Sequence, residues 1–402
     1  MPPADSVLTA VYDLQVCPCS YDFFQFLIGA ELHRKRYSYH SINLVFLPGP
    51  KNGFREDQLR SNDQNDLFFK NVIIPGLSVL PSISSFHSYS SRKEFRFKSK
   101  PKLSSVYPRG YTVEKPIADY VFHGVVASQL REEEMVFFEA PDYCKKIAQE
   151  YLNKIAGNKK VIVLTTRELS REDSGSRSIL KEVWKDFFAQ LDPDFYQPLI
   201  IRDTSTAFST DRLFNGVPEL SAASIHLPLR LAIYQLSHLN FFKNNGPAVF
   251  GYYSKANAII FNEFDSRHHA LSEEYYKMHY GMKRGCQLPL TPQNSHTLWG
   301  KENVAVLNQV LAVNWYEKSN QCNLYKDKEN LILSMITGFN YLVENLKQGV
   351  LTEDAKTVLF AQKLIETHDF EWDIPQLIKD LEAKGWPKGT WAQIVKLQNT
   401  FK

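Results

Sequence analysis

Short unbroken runs of apolar residues alternate along most of the chain with longer stretches in which apolar positions recur every three or four residues. The first kind reads as buried strands, the second as helices with one inward face. Val7–Val16 is the first apolar run. The segment from near Tyr21 then carries Phe23, Phe24, Phe26, Leu27 and Ala30 and ends in a basic run, His33 to Arg36. Basic residues complement the carbonyl end of a helix, so this cluster needs no partner to explain it. Ser41–Leu47 is the second run, closed by Pro48-Gly49-Pro50. Strand, helix, strand is the unit of a parallel sheet.

The next stretch is less regular. Asp66–Val79 predicts a helix interrupted at Pro75-Gly76, and the Ser-rich Pro81–Arg92 a strand end and loop. Phe95–Pro116 is basic (Lys98, Lys100, Lys102, Arg109), with Tyr107 and Tyr111 interleaved. It predicts a solvated loop, with a basic rim for an anionic acceptor or membrane headgroups as the alternative.

The alternation resumes with a helix over Ala140–Lys154 and a strand over Val161–Leu164, followed by a polar loop from Thr165 to Arg177. A helix is expected over Ile179–Leu191 and a strand over Tyr196–Ile201, ending at Arg202-Asp203-Thr204. Pro228–His238 predicts a helix, with proline suited to its first turn. Leu239–Lys243 is a buried strand, and Asn244-Asn245-Gly246-Pro247 a turn opening the next helix. Asn257–Phe264 is one more strand, and Trp299–Trp315 a helix. Four further helical patterns, Glu329–Leu346, Thr352–Thr367, Ile374–Lys384 and Thr390–Phe401, fill the tail. The expected fold class is α/β, with parallel sheets that bind ligands at the carboxyl ends of their strands.

Composition narrows the function. At 402 residues the chain holds two domains of ordinary size, and 44% hydrophobic with 23% charged residues is a folded composition. A net charge of +3 gives no global case for nucleic acid. Five cysteines argue against a disulfide scaffold and for a reducing cytosol. Cys17-Pro18-Cys19 is too close for an ordinary bridge, and no second pair at zinc-site spacing accompanies it. The first residues lack a signal-peptide pattern, and no segment approaches the roughly 18 apolar residues of a membrane span. The expectation is a soluble cytoplasmic protein that can still work at a membrane surface.

Three polar clusters follow three predicted strands: Arg167 to Arg177, Asp203-Thr204, and Asn244 to Pro247. In a parallel sheet such ends converge on one edge. Arg167 and Arg177, with Arg230 near a helix start, are of the type that binds diphosphates bidentately, though any one arginine is more often a surface or ion-pair residue. Asp203 can accept from ribose hydroxyls or a base edge, or cap its own loop. The Gly246-bearing turn, with Pro247 at the first position of the following helix, can place backbone N–H groups and a helix N-terminus against a phosphate, or make only a tight turn. Asp192-Pro193-Asp194 reads as a turn rather than a metal site. In the first half, Asp22 and Asp13 are candidate general bases facing a cleft, with helix capping as the plain alternative for Asp22.

The stretch Leu239 to Phe261, with its turn Asn244-Asn245-Gly246-Pro247, resembles the segment of bacterial heptosyltransferases in which a strand ends in Asp-Thr-Gly-Pro and the turn holds the donor's phosphates. Asparagines replace the family's acidic and threonine residues, which leaves the donor open. Val161 to Glu168 is similar to the strand-plus-basic opening of many GT-B donor domains. The resemblance implies a GT-B glycosyltransferase with two Rossmann-like domains facing a cleft. Residues 1–140 would bind the acceptor, 141–320 the nucleotide sugar, and 321–402 would form a helical extension. It implies donor contacts from Arg167, Arg177, Asp203, Arg230, Asn244, Asn245, Gly246 and Pro247, with Asp22 or Asp13 as base for an inverting reaction. No metal and no cofactor beyond the nucleotide-sugar co-substrate is expected. The implied acceptor is a glycan or glycolipid of surface polysaccharide synthesis, handled in the cytoplasm or at the inner face of the membrane, with peripheral attachment allowed. The rival expectations are a nucleotide-sugar epimerase or phosphorylase on the same scaffold, and a non-catalytic subunit of a glycan-assembly complex.

Overall fold

A computed structural model of the protein describes residues 6–56, 60–98, 105–119, 125, 137–168, 178–265, 271–273, 276, 284, 288, 291–292 and 294–313. It contains two parallel sheets. The first has the order β3-β2-β1-β4, with β1 at Val7–Asp13, β2 at Ser41–Leu47, β3 at Ile83–Ser88 and β4 at Val106–Tyr107. The second has the order β6-β5-β7-β8-β9, with β5 at Lys160–Thr165, β6 at Tyr196–Ile201, β7 at Leu239–Lys243, β8 at Ala258–Asn262 and β9 at Ser295–Trp299. Every pairing between these strands is parallel. The α/β class read from the sequence is the fold.

The period-two alternation of each strand sorts its side chains into separate cores. Tyr12, Leu44 and Phe46 enter a core shared by both halves of the chain, whereas Val11, Val45 and Leu47 face a smaller one with Phe95 and Tyr111. In the second sheet Val163, Ile201, Phe242 and Ile260 join the shared core. Leu164, Ile200, Phe241 and Phe261 pack on the far side around Trp184 and Phe187. These strands are buried on both faces, which is why they read as unbroken apolar runs.

Helix Asp22–Arg36 lies within the shared core, with Phe23, Phe24, Phe26, Leu27 and Ile28 all buried. Phe24 meets Phe250 at 4.9 Å and Phe138 at 6.0 Å between ring centroids, so this helix joins the two halves. Gly76 marks a close approach: a Cβ there would sit 2.6 Å from both Leu227 Cδ2 and Phe24 Cζ.

Several expectations are corrected. The broken helix over Asp66–Val79 is a helix over Asn62–Phe68 that continues through a π-turn, a helical turn at Ile74–Gly76 and a 3₁₀ turn. Pro81–Arg92 contains the edge strand β3, almost wholly exposed, so no apolar alternation announced it. Trp299 ends a strand, and the helix begins only at Val304, because Gly300 at φ +148° breaks the chain direction. The helix after Pro247 spans only Ala248–Tyr252. The four helical patterns of the tail lie outside the described residues. Among the described residues no helix is long and apolar enough to cross a membrane.

Candidate functional site

The parallel registers decide which loop residues stand side by side. Thr165 pairs with Ile201 on one side and with Phe242 on the other. Thr166-Arg167, Arg202-Asp203 and Lys243-Asn244 directly follow these paired positions in the chain, and the Thr166 amide donates to the Ile201 carbonyl at 3.0 Å. Phe261 pairs with Lys243, so Asn262 follows beside Asn244, and the Asn244 amide donates to Asn262 Oδ1 at 2.8 Å. The described residues of the three polar clusters therefore follow the carboxyl ends of adjacent strands of the second sheet. The chain leaves β5 toward β6 and returns to β7 on the opposite side of β5. The crevice between the ends of β5 and β7 is thus the topological switch point, where such sheets bind ligands.

Among the cluster residues, Arg167 is half-buried, and Arg177 lies outside the described residues. Asp203 caps a 3₁₀ turn by accepting from the Ser205 amide at 3.2 Å. Asn245 is buried, and its Oδ1 accepts from the Ala248 amide at 3.1 Å. That bond fixes the orientation of the side chain and leaves its Nδ2 buried with no partner. The amides of Ala248, Val249 and Phe250 are taken by the carbonyls of Asn245, Gly246 and Pro247. The turn therefore offers a ligand the Asn245 side-chain amide rather than the first amides of a long helix.

Arg230 sits deeper than the sequence implied. It is 1% exposed and donates to the carbonyls of Ala223 (2.7 Å), Ser224 (3.0 Å) and Arg202 (3.1 Å) and to the Tyr21 hydroxyl (2.8 Å). Burial works against its charge, but the nearby oxygens of Tyr21, Tyr234 and Asp203 outweigh burial and lift its pKa. A helix-start arginine was read as a surface or ligand group because nothing in the sequence reveals the carbonyls gathered around it.

Three charged residues of the edge escaped the sequence reading. Glu168 accepts from Arg202 Nε at 2.9 Å, with a second bond to the same guanidinium, and from Thr166 and Thr206. Lys243 and Glu302 form a buried pair at 2.6 Å, and Glu302 Oε1 also accepts from the Leu180 amide at 2.9 Å. A lysine closing the buried strand β7 was the one signal available for this pair. Thr165 Oγ1 and the Tyr234 hydroxyl share a buried 2.7 Å bond.

The first sheet brings its own carboxyl edge against this one. Tyr21 lies on the turn after β7: a Cβ at Gly246 would be 2.4 Å from Tyr21 Cδ2, so only glycine fits there. Asp22, the next residue, is half-buried in the first turn of its helix and accepts from Ser20 Oγ at 2.7 Å. Asp13 is a different case from the one expected. It is fully buried and accepts from Arg92 at 2.7 Å, from the Tyr111 hydroxyl at 2.5 Å and from the Gln15 amide at 3.0 Å. Burial, reinforced by the Asp13 charge, pushes the Tyr111 phenol well up, so it remains a donor to Asp13. Asp13 anchors the first sheet's switch point, whereas Asp22 directly follows Tyr21, the residue that meets the turn after β7. Burial also raises the thiols of Cys17 and Cys19, the latter to about 12, which makes both inert at neutral pH. Asp192 Oδ1 accepts from the Asp194 amide at 2.9 Å, the turn expected there.

No family model and no curated protein matches the chain. Among solved structures it is similar to a family 9 glycosyl transferase from Veillonella parvula, at 9% identity and a TM-score of 0.45, over 90% of this chain and 98% of that one. It is also similar to the E. coli ADP-heptose heptosyltransferase II, at 9% identity and a TM-score of 0.44, over 78% of this chain and all of that one. A third likeness is to the E. coli heptosyltransferase WaaC with ADP, at 10% identity and a TM-score of 0.38, over 76% and 100% of the two chains. At such identities and TM-scores these likenesses carry no conclusion about activity.

Proposed function

We propose that the chain is a glycosyltransferase that moves a sugar from a nucleotide-sugar donor to a hydroxyl of a glycan or lipid-linked acceptor. The observation that carries this reading is that Arg202-Asp203, Thr166-Arg167 and Lys243-Asn244 follow the carboxyl ends of the adjacent strands β6, β5 and β7, at the switch point of the second sheet. The first half's Tyr21-Asp22 is brought onto it at Gly246. The resemblance of Leu239 to Phe261 to the donor turn of heptosyltransferases supports the sugar-nucleotide part. The surface-polysaccharide role and the glycolipid acceptor rest on that resemblance alone.

In this reading Arg167 and the buried Asn245 amide hold the donor's diphosphate, and Asp203 faces its ribose or base. Asp22 takes the proton of the acceptor hydroxyl as that oxygen attacks the anomeric carbon. The bond from the anomeric carbon to the phosphate oxygen breaks, and its electron pair leaves with the nucleoside diphosphate. The reaction places the proton on Asp22 and the charge on a leaving group beside cationic and N–H donors.

The test is a thermal-shift screen of the full chain against nucleoside diphosphates and nucleotide sugars. A true donor at 100 times its dissociation constant adds about 2.7 kcal/mol of stability. Arg167→Ala is expected to weaken that donor, and Asp22→Asn to bind it without turnover. No shift with any member of the panel rejects the reading. The phenol seated on the Gly246 turn favours one second reading, a non-catalytic binding subunit, for which a shift without turnover in the wild type is the signature.

A further inference from the structure

Arg230 is a buried cation without a carboxylate partner among the described residues: its acceptors are three carbonyls and the phenol of Tyr21. Its charge is offset through space by the oxygens of Tyr21, Tyr234 and Asp203 rather than by a direct ion pair, and such a site gains by closing on an anion in contact with the guanidinium. Two further buried donors lack acceptors here: the hydroxyl of Ser224, whose carbonyl Arg230 holds, and Nδ2 of Asn245. Tyr21 connects them. Its oxygen meets Arg230 and its ring carbons lie against Gly246, the neighbour of Asn245. Its ring also packs edge-on against Phe68 and Phe250, yet the side chain is only half-buried, unlike its neighbours Phe23 and Phe24.

We propose that Tyr21 is a gate whose phenol oxygen occupies the seat at Arg230 meant for an oxygen of a diphosphate-bearing ligand, and that binding lifts the ring from the Gly246 turn. The gate rests on the reading of this edge as a nucleotide-sugar site. A neutral phenol is a poorer acceptor for a guanidinium than a phosphate oxygen, so the exchange runs toward the ligand. The packing of the ring sets the fraction of molecules that are open, and the apparent affinity falls by that fraction. Asp22 follows Tyr21 directly, so the motion that admits the diphosphate also repositions the carboxylate that serves the acceptor.

The test uses calorimetric titration of the full chain with ADP, UDP, GDP and CDP, and with inorganic pyrophosphate as a probe that lacks the nucleoside. Tyr21→Phe keeps the ring and removes the competing oxygen. It is expected to bind the preferred diphosphate about five-fold more tightly than wild type, the worth of one ordinary hydrogen bond. Equal or weaker binding by Tyr21→Phe overturns the gate and leaves the transferase reading standing. Tighter binding of pyrophosphate with no response to any nucleoside diphosphate keeps the gate and removes the nucleotide-sugar reading. No binding by either protein overturns both. Hydrogen exchange on the wild type supplies a second measurement that needs no variant. The Phe24 amide, bonded to the Tyr21 carbonyl at 3.0 Å, exchanges faster with ligand if the gate opens, and slower if Tyr21 only clamps the two halves together.

Discussion

Nζ of Lys243 lies 2.6 Å from Oε2 of Glu302, with the two side chains 3% and 0% exposed. The pair ties the carboxyl end of β7 to the segment after β9, and through the Leu180 amide to the start of helix Lys181–Gln190. Glu302→Gln leaves an ammonium in the interior with no counter-charge. The expected loss is about 3–5 kcal/mol in urea unfolding. Replacing both partners, Lys243→Met with Glu302→Leu, removes both desolvation costs and is expected to recover most of the loss. A double variant as unstable as the single one would mean that the Leu180 amide, not the charge, dominates.

Asp13 and Asp22 separate by what their removal costs. Asp13→Asn takes the counter-ion from Arg92 and an acceptor from Tyr111, a loss of about 2–3 kcal/mol for a buried, charge-assisted cluster. Asp22→Asn removes one carboxylate from a helix first turn, worth about 1 kcal/mol or less. Urea unfolding is therefore expected to rank Asp13→Asn well below Asp22→Asn in stability. Turnover of a nucleotide sugar is expected to vanish in Asp22→Asn. Wild-type stability in Asp13→Asn would show that the cluster around it is not an anchor.

These residues also show how far the sequence could be read. Ser41–Leu47, Tyr196–Ile201 and Leu239–Lys243 were legible to the residue, because each apolar run is set off by polar or turn residues on both sides. β3 was not, since its exposed serines carry no alternation, and neither was the two-residue β4. The set of polar residues at the second sheet's edge was legible because each cluster directly follows a strand. What those residues touch was not. Arg230 is held by carbonyls from Ala223, Ser224 and Arg202, and Asp13 by groups 79 and 98 positions away. Contacts of that range are set by packing, and local pattern does not encode them.

Glu168 gives the edge an acid-sensitive element. Burial pushes its carboxyl up, but the hydrogen bonds from Arg202, Thr206 and Thr166 pull it down and prevail, so its pKa lies below the ordinary value. A carboxyl depressed in the folded state adds stability that is fully present above its unfolded pKa, about 4.3 for glutamate, and lost as pH falls through the folded value. Glu168→Gln is expected to be less stable than wild type at pH 7. Its stability, followed by urea unfolding, should change less on acidification below about pH 4.3. Parallel pH curves for the two proteins would remove Glu168 from the acid response.

The contact between Tyr21 and Gly246 yields the sharpest packing test. A methyl group at residue 246 would lie 2.4 Å from Tyr21 Cδ2, 2.7 Å from Cγ and 2.8 Å from Cβ. These atoms sit at the root of the ring, so no rotation of the side-chain tip relieves the clash, and either the turn after β7 or the start of helix Asp22–Arg36 has to move. Gly246→Ala is therefore expected to cost about 1–3 kcal/mol, the usual range for overpacking. Tyr21→Ala alone also destabilises, because it empties the space between Phe68 and Phe250 and strips an acceptor from Arg230. In the double variant the two ring contacts are gone and only the 2.8 Å approach to Cβ of residue 21 remains, so the two losses are not expected to add. The coupling measured by a double-mutant cycle in urea should reach about 1 kcal/mol or more. Additive losses would mean that residues 21 and 246 do not press on one another, and that the two sheet edges are held together elsewhere, at Gly76 and Phe24.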